Sequence, residues 1–269
     1  MDRKYSKDNL NVMLAVFSYS GLEEKTHESL MCEVAHCSHN NKAYQYARIS
    51  GDALIARSRS KAIGRFLRSD CDVMVMIDHD IVWNAGEAWD LGKLAFEHNA
   101  IIGGMYCKRT FGQGWASRAK FDGDVAFGKP GLIESDAVAT GFMAIPREVI
   151  QGMVDRLDVD GAYHQRVMDN CTPEESGLMR DLSIGRIVEG DHKYMDHDYY
   201  DAFRCIRLPN PYVEEAYQFL SEDYAFCKRA QACGYRTLIS TKPLLGHIGS
   251  HVYRVSDGMD ADDRSQLNG

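Results

Sequence analysis

Three clusters among the 269 residues combine residue type and spacing in a way that could do chemistry. The first is Asp78-His79-Asp80, in the segment SDCDVMVMIDHDIVW. Two carboxylates one residue apart on extended chain point to the same side. Such a pair can hold a hard divalent cation through oxygen while the cation bridges a diphosphate. A bare D-x-D arises easily by chance, and Asp70-Cys71-Asp72, Asp122-Gly123-Asp124, Asp158-Val159-Asp160 and Asp196-His197-Asp198 also match. Only Asp78 and Asp80 terminate an unbroken apolar run, residues 73–77. The second cluster, Ser221-Glu222-Asp223, lies where a helical pattern begins. Acids there serve as caps or dipole partners, or as a general base that takes a proton from an attacking hydroxyl. The third is His247 in Leu245-Gly246-His247-Ile248-Gly249, where glycines allow close backbone approach and a neutral imidazole would complete a site that already holds carboxylates. By itself it reads better as a loop histidine, one of ten. Arg57 lies off the apolar face of a helix and could reach a phosphate or base, although most helix arginines are solvated. Cys32, His36, Cys37 and His39 do not have zinc-ligand spacing. No GxGxxG, Walker A, HExxH or GxSxG element occurs.

These groups need elements to position them. Residues 12–17 read as a buried strand that breaks into Ser18-Tyr19-Ser20-Gly21, and residues 22–35 as a helix. Residues 44–50 form a second strand, and Asp52 is the expected N-cap of a helix over 53–68 whose apolar face is Ile55, Ala62, Ile63, Phe66 and Leu67. The apolar run 73–77 does not alternate, as expected of a strand buried on both faces of a parallel sheet. Asp78 and Asp80 then fall at the carboxyl end of a central strand, where open α/β sheets bind ligands. A helix over 83–98, a strand over 100–106 with Gly103-Gly104, and a Gly-rich loop over 111–129 follow. Next come a strand over 135–145 interrupted at Thr140-Gly141 and a helix from Pro146 onward. Residues 151–215 read as a polar, irregular insertion, residues 214–233 as helical, and residues 235–240 as a short strand.

Composition bounds the class. Hydrophobic residues make up 45% and charged residues 26%, as in ordinary globular chains. No apolar run approaches the ~18 to 20 residues that span a bilayer, and the charged start lacks a signal-peptide core. A soluble, cytoplasmic protein without a membrane partner is expected. The eight cysteines include no CxxC pair and fit reduced thiols. The formal charge of -8 argues against non-specific coating of nucleic acid. Residues 1–150 are nearly neutral, with 18 basic and 19 acidic groups, against 13 and 20 in residues 151–269.

In order and spacing, the segments VMLAVFSYSG, IARSRSKAIGRFLRSDCDVMVMIDHDIVW, IIGGMYCKR, AVATGFMAIPREVI, FLSEDYAFCKRAQACGY and LLGHIGSHVY together resemble nucleotide-sugar glycosyltransferases of the GT-A fold, of the family 2-like, single-domain kind of phages and large viruses. The resemblance implies an α/β, Rossmann-like domain over 1–255 with a central mixed, mostly parallel sheet flanked by helices, followed by a polar acidic tail over 256–269. If the protein is viral, its place is the host cytoplasm. The resemblance further implies that Ser18 and Tyr19 border the nucleoside and Arg57 reaches the nucleotide. Asp78 and Asp80, with His79 between them, form the DxD and hold the metal together with His247, Asp80 as the direct ligand and Asp78 nearer the ribose and a bridging water. Gly103, Gly104 and Gly141 offer close backbone approach to donor sugar and acceptor. Asp223, beside Glu222, is the base of an inverting transfer.

The implied cofactor is Mn2+ or Mg2+, and the implied donor is a nucleoside-diphosphate sugar, UDP-sugar first. The acceptor stays open between a hydroxymethylated DNA base and a glycan or protein. Tyr163, His192, Tyr194, His197, Tyr199, Tyr200, Phe203 and Arg207 in the insertion suit stacking on rings. Lys108, Arg109, Arg118 and Lys120 flank the Gly-rich loop and could track a phosphate backbone. A nucleotidyltransferase, and a catalytically silent GT-A-shaped module that binds carbohydrate or nucleic acid, are the alternatives.

Overall fold

An apolar strand that does not alternate must find apolar partners on both sides, and β1 (Asn11–Ser18) and β3 (Val73–Asp78) do so. In β1, Met13, Ala15 and Phe17 enter one core, and Val12, Leu14 and Val16 enter another on the opposite face of the sheet. Met74 and Met76 of β3 join the first core, and Val73, Val75 and Ile77 the second. The computed structural model describes residues 10–109, 114–119, 125–161, 165, 172–188, 198–210 and 212–255. Tyr163, His192, Tyr194, His197, Lys120, Asp122 to Asp124, Asp196 and the 256–269 tail lie outside the described residues.

The remaining strands are β2 (Ala43–Ser50), β4 (Ile81–Val82), β5 (Ile101–Gly104), β6 (Arg118–Ala119), β7 (Leu132–Ala137), β8 (Phe142–Pro146), β9 (Arg186–Val188), β10 (Asp198–Tyr200), β11 (Ile206–Pro209), β12 (Tyr217–Leu220), β13 (Thr237–Ser240), β14 (Gly246–Ile248) and β15 (Val252–Arg254). The helices are α1 (Glu24–His39), α2 (Ile55–Arg68), α3 (Glu87–His98), α4 (Arg147–Leu157), α5 (Pro173–Leu182) and α6 (Glu222–Ala232). The large sheet has eight strands in the order β2-β1-β3-β8-β5-β13-β7-β6. It is a mixed α/β sheet with helices on both faces. Side chains of α2, α4 and α6 fill the first core, and those of α1 and α3 fill the second. The two interruptions of parallel order are β8, antiparallel to both β3 and β5, and β7, antiparallel to β13 and β6. The expected strand over 135–145 is therefore two strands that occupy separate places in the sheet.

Buried charged groups fasten the helices. Glu33 of α1 is fully buried and accepts hydrogen bonds from Gly86 N (2.7 Å), Trp89 N (3.0 Å) and Trp83 Nε1 (3.1 Å). It thereby satisfies N–H groups that the start of α3 leaves without helical partners. On the other face, fully buried Arg229 of α6 donates to the carbonyls of Leu182 (3.0 Å), Ala202 (3.0 Å) and Arg204 (2.7 Å). Burial lowers its pKa to about 10.

Arg229 explains the largest departure from expectation. The described parts of residues 151–215 are ordered by capture of backbone carbonyls, by Phe203 stacked on Phe226 at 4.3 Å, and by Ser60 Oγ accepting from Phe203 N at 3.2 Å. None of these leaves an apolar period in the sequence. Within the segment, α5 starts at a capping box in which Thr172 and Glu175 bond each other's backbone N–H. Residues 217–220, expected to be helical, are instead β12, paired antiparallel with β11. Their burial alternates: Tyr217 and Phe219 face out, and Leu220 is buried. The helix begins only at Glu222. Asp52 is not the cap of α2 either, since Leu54 holds that position. Asp52 instead accepts from Leu54 N and pairs with Arg57.

Arg229→Ala removes three donors from buried carbonyls, and the unfolding free energy is expected to fall by about 3 kcal/mol. Urea denaturation followed by circular dichroism measures this, and limited proteolysis should show cleavage between α5 and β11 in the variant before the sheet is cut.

Candidate functional site

The carboxyl ends of β1 and β3 open into a cavity of about 340 Å³. Its lining includes Ser18, Tyr19, Asp52, Asp78, His79, Asp80 and Arg109, which gathers most of the donor-side residues expected from sequence. The turn that carries the acids is pinned from three elements. Asp78 N donates to Gly141 O (3.0 Å), Glu23 N to His79 O (3.1 Å) and Ile248 N to Asp80 O (2.8 Å). Since His79 and Asp80 turn rather than extend, the two carboxylates meet different partners, and the same-side geometry of an extended D-x-D does not apply.

Asp78 is held by Arg59, whose Nη2 donates to both carboxylate oxygens at 2.9 and 3.0 Å. The other end of the same guanidinium, Nη1, donates to Glu222 Oε1 at 2.5 Å. Arg59 is 4% exposed, and burial would lower its pKa, but the carboxylates of Asp78 and Glu222 outweigh that and raise it. One buried cation therefore ties the end of β3 to the start of α6. Sequence reasoning missed Arg59. The available signal was its position midway between Ile55 and Ile63, four residues from each, which places it on the apolar face of α2. Arg57, the expected nucleotide contact, points elsewhere: its Nε and Nη2 hold Asp52 at 2.7 and 2.8 Å. That pairing lowers the Asp52 carboxyl to about 2.

Asp80 is buried and faces His247, with Nε2 to Oδ2 at 3.6 Å. The two meet because β14 pairs with β4, putting His247 opposite Ile81. His247 Nδ1 lies 2.9 Å from the carbonyl oxygen of Cys107. A carbonyl only accepts, so Nδ1 carries the hydrogen and Nε2 presents a lone pair toward Asp80. Arg109 Nε donates to that lone pair at 3.0 Å, and Arg109 Nη2 stands 2.5 Å from Asp80 Oδ2. Burial would raise the Asp80 carboxyl, but the imidazole of His247, where it is protonated, and the guanidinium of Arg109 outweigh it and hold it below the usual carboxylate range. Asp80 Oδ2 nonetheless has no hydrogen bond of good geometry, nor does buried Ser18 Oγ. Beside one cavity, Ser18 Oγ thus lacks the hydrogen-bond partner that a buried group normally has, and Asp80 Oδ2 has only charge contacts, with Arg109 and His247. Among the described residues, no three His, Cys, Asp or Glu side chains are gathered as a metal cage. Asp80 and His247 form a two-donor set, which suits an ion that takes its other ligands from water and substrate phosphate.

Asp223 accepts hydrogen bonds from Ser221 Oγ and from Tyr224 N (2.8 Å). Unlike Glu222, it makes no ion pair with a described residue. Buried Tyr106 supports the centre: its hydroxyl accepts from Gly141 N at 3.0 Å, and its ring meets His247 edge-on at 5.1 Å. Burial and the nearby Asp78 push its pKa far up. The glycines serve packing. A Cβ on Gly141 would meet the Tyr106 hydroxyl at 2.4 Å, on Gly104 the Leu245 side chain at 2.6 Å, and on Gly103 the Val138 side chain at 2.1 Å. The space beside each is filled by the protein itself. Of the basic group thought able to track a phosphate backbone, Arg109 turns toward Asp80 and Arg118 stacks over Tyr224 at 5.1 Å.

No protein-family model and no curated protein matches the chain. Its fold is similar to that of several solved structures. One is a protein of STIV, at 14% identity and a TM-score of 0.48, with 89% of this chain and 86% of that one covered. Another is GalNAc-T7 crystallised with UDP, GalNAc and Mn2+, at 10% identity and 0.49, covering 96% of this chain and 45% of that one. The chain thus spans under half the length of that structure. A third is a glycosyltransferase involved in glycosylation of the major capsid of PBCV-1, at 10% identity and 0.31, covering 59% and 74%.

Removing Arg59 leaves Asp78 and Glu222 half-desolvated without their shared cation. Arg59→Ala is expected to cost about 3–5 kcal/mol of stability. An unchanged urea midpoint would show that the bridge fastens nothing.

Proposed function

We propose that the chain is a GT-A-type glycosyltransferase that moves a sugar from a nucleoside-diphosphate sugar, UDP-sugar first, to an acceptor hydroxyl with inversion. The observation that carries this reading is the cavity at the ends of β1 and β3, where Ser18 Oγ has no hydrogen bond and Asp80 Oδ2 has only charge contacts with exposed Arg109 and with His247. Its volume suits part of a small-molecule ligand, and unpartnered polar atoms are what a bound ligand satisfies. The exposed ring of Tyr19 borders the cavity and offers a face to a base. Ser18 and Asp78 offer hydrogen-bond partners to ribose hydroxyls.

Asp80 and His247 would hold Mn2+ or Mg2+, the Nδ1–H of His247 being fixed by Cys107 so that Nε2 carries the lone pair that would ligate. When bound, the ion neutralises the charge that develops on the departing diphosphate. Glu222, bound to Arg59, is a positioning residue that sets the start of α6 against the end of β3. Asp223 then serves as the base. It takes the acceptor hydroxyl's proton as that oxygen bonds to the anomeric carbon and the bond from that carbon to the diphosphate oxygen breaks. Its bonds from Ser221 and Tyr224 hold the carboxylate oriented.

A glycan is favoured as the acceptor. The β11–β12 hairpin runs directly into Ser221-Glu222-Asp223, and its outer face carries Tyr217 and Phe219, which are 58% and 73% exposed. Arg207 stacks over Tyr217 at 4.3 Å. Aromatic faces of this kind suit the C–H faces of sugar rings. Exposed Glu214 and Glu215 at the hairpin tip repel a phosphate backbone, which weighs against DNA.

Asp80→Ala is expected to lower Mn2+-dependent UDP-sugar hydrolysis about a hundredfold; hydrolysis at the wild-type rate in this variant overturns the assignment. Phe219→Ala should leave donor hydrolysis intact and raise the KM of a glycan acceptor about three- to tenfold. Transfer to hydroxymethylated DNA that is insensitive to Phe219→Ala would count for the nucleic-acid acceptor instead.

A further inference from the structure

Arg109 occupies the place where the proposed ion would sit. Its Nε takes the lone pair of His247 Nε2 at 3.0 Å, and its Nη2 faces Asp80 Oδ2 at 2.5 Å. These two atoms are the metal donors of the preceding section. Their current occupant is loosely seated: the contact to Asp80 is a charge contact without good hydrogen-bond geometry, and the Arg109 side chain is 53% exposed against 4% for Asp80. The stem of Arg109 crosses Gly249, where an added Cβ would meet its Cδ at 3.2 Å. Arg109 also lines the cavity assigned above to the nucleotide.

We propose that Arg109 is an internal cation that holds the divalent-ion position while the site lacks nucleotide, and that ion binding displaces its guanidinium onto the diphosphate. The inference rests on the glycosyltransferase reading and adds a residue to its donor site. Two cations cannot share one carboxylate oxygen and one imidazole lone pair, so the ion and Arg109 compete. A guanidinium is always charged, and its planar fork of donors matches phosphate oxygens. A diphosphate therefore gives the displaced arginine a new partner, so ion and nucleotide favour each other's binding. Without nucleotide, Arg109 satisfies the charge of Asp80 and keeps the ion weakly bound.

The test is Mn2+ binding, followed by the electron paramagnetic resonance signal of free Mn2+, with and without UDP. Wild-type protein should bind Mn2+ weakly alone and more tightly with UDP. Arg109→Ala and Arg109→Gln should bind Mn2+ alone roughly tenfold more tightly than wild type, and should gain less from UDP. The position is half exposed, and the glutamine keeps most of the stem, so both variants are expected to fold. Equal or weaker Mn2+ binding by both variants would show that Arg109 supports Asp80 and His247 rather than competing for them. That result overturns this proposal and leaves the glycosyltransferase reading to the Asp80→Ala assay. Absence of Mn2+ binding in all three proteins, even with UDP, would overturn the metal assignment as well.

Discussion

The site depends first on one buried cation. Arg59 reaches from α2 to the end of β3 and the start of α6, and its two Nη groups are shared between Asp78 and Glu222. Two carboxylates brought so close would repel each other without a compensating charge. With the guanidinium between them, the repulsion becomes the attraction that sets the start of α6 against the carboxyl end of β3. Asp223, adjacent to Glu222, takes its position from the same contact. The cost is a buried Arg59 Nε with no hydrogen-bond partner, which the two ion pairs must offset.

Buried charge is used the same way elsewhere in the molecule. Glu33 gathers the N–H groups at the start of α3, and Arg229 gathers carbonyls from α5 and from the chain after β10. Each of these side chains answers backbone groups that regular structure leaves unpaired. The apolar layers decide that there is a sheet with helices on both faces. The charged fasteners decide how the connecting segments lie on it, and most of the side chains around the cavity come from the ends of elements or the connections between them.

The frame was legible in the sequence because apolar runs record burial directly. Residues 12–17 read as a buried strand and residues 73–77 as a strand buried on both faces, and they are β1 and β3. Asp78 and Asp80 were found by their place at the end of such a run, and both line the cavity. What escaped was carried by groups whose role depends on distant partners. Arg59 looked like any helix arginine, since nothing local in the sequence announces Asp78 and Glu222 on either side of it. Arg57 drew attention in its place, although Asp52, five residues away, is its partner. Residues 151–215 looked irregular because carbonyl capture by Arg229 has no sequence period. The exposed alternation of Tyr217 and Phe219 was read as helix because the segment leads into one.

The pairing of β14 with β4 brings together groups that are far apart along the chain, for His247 sits opposite Ile81. During synthesis, the large sheet can gather most of its strands while the imidazole that faces Asp80 has yet to leave the ribosome. Until residues 246–248 are made and pair with β4, Asp80 lacks both His247 and the backbone bond from Ile248. The nascent chain can therefore hold most of the sheet before Asp80 has its last charged and backbone neighbours, so the surroundings of this buried carboxylate are completed only after the fold that carries it.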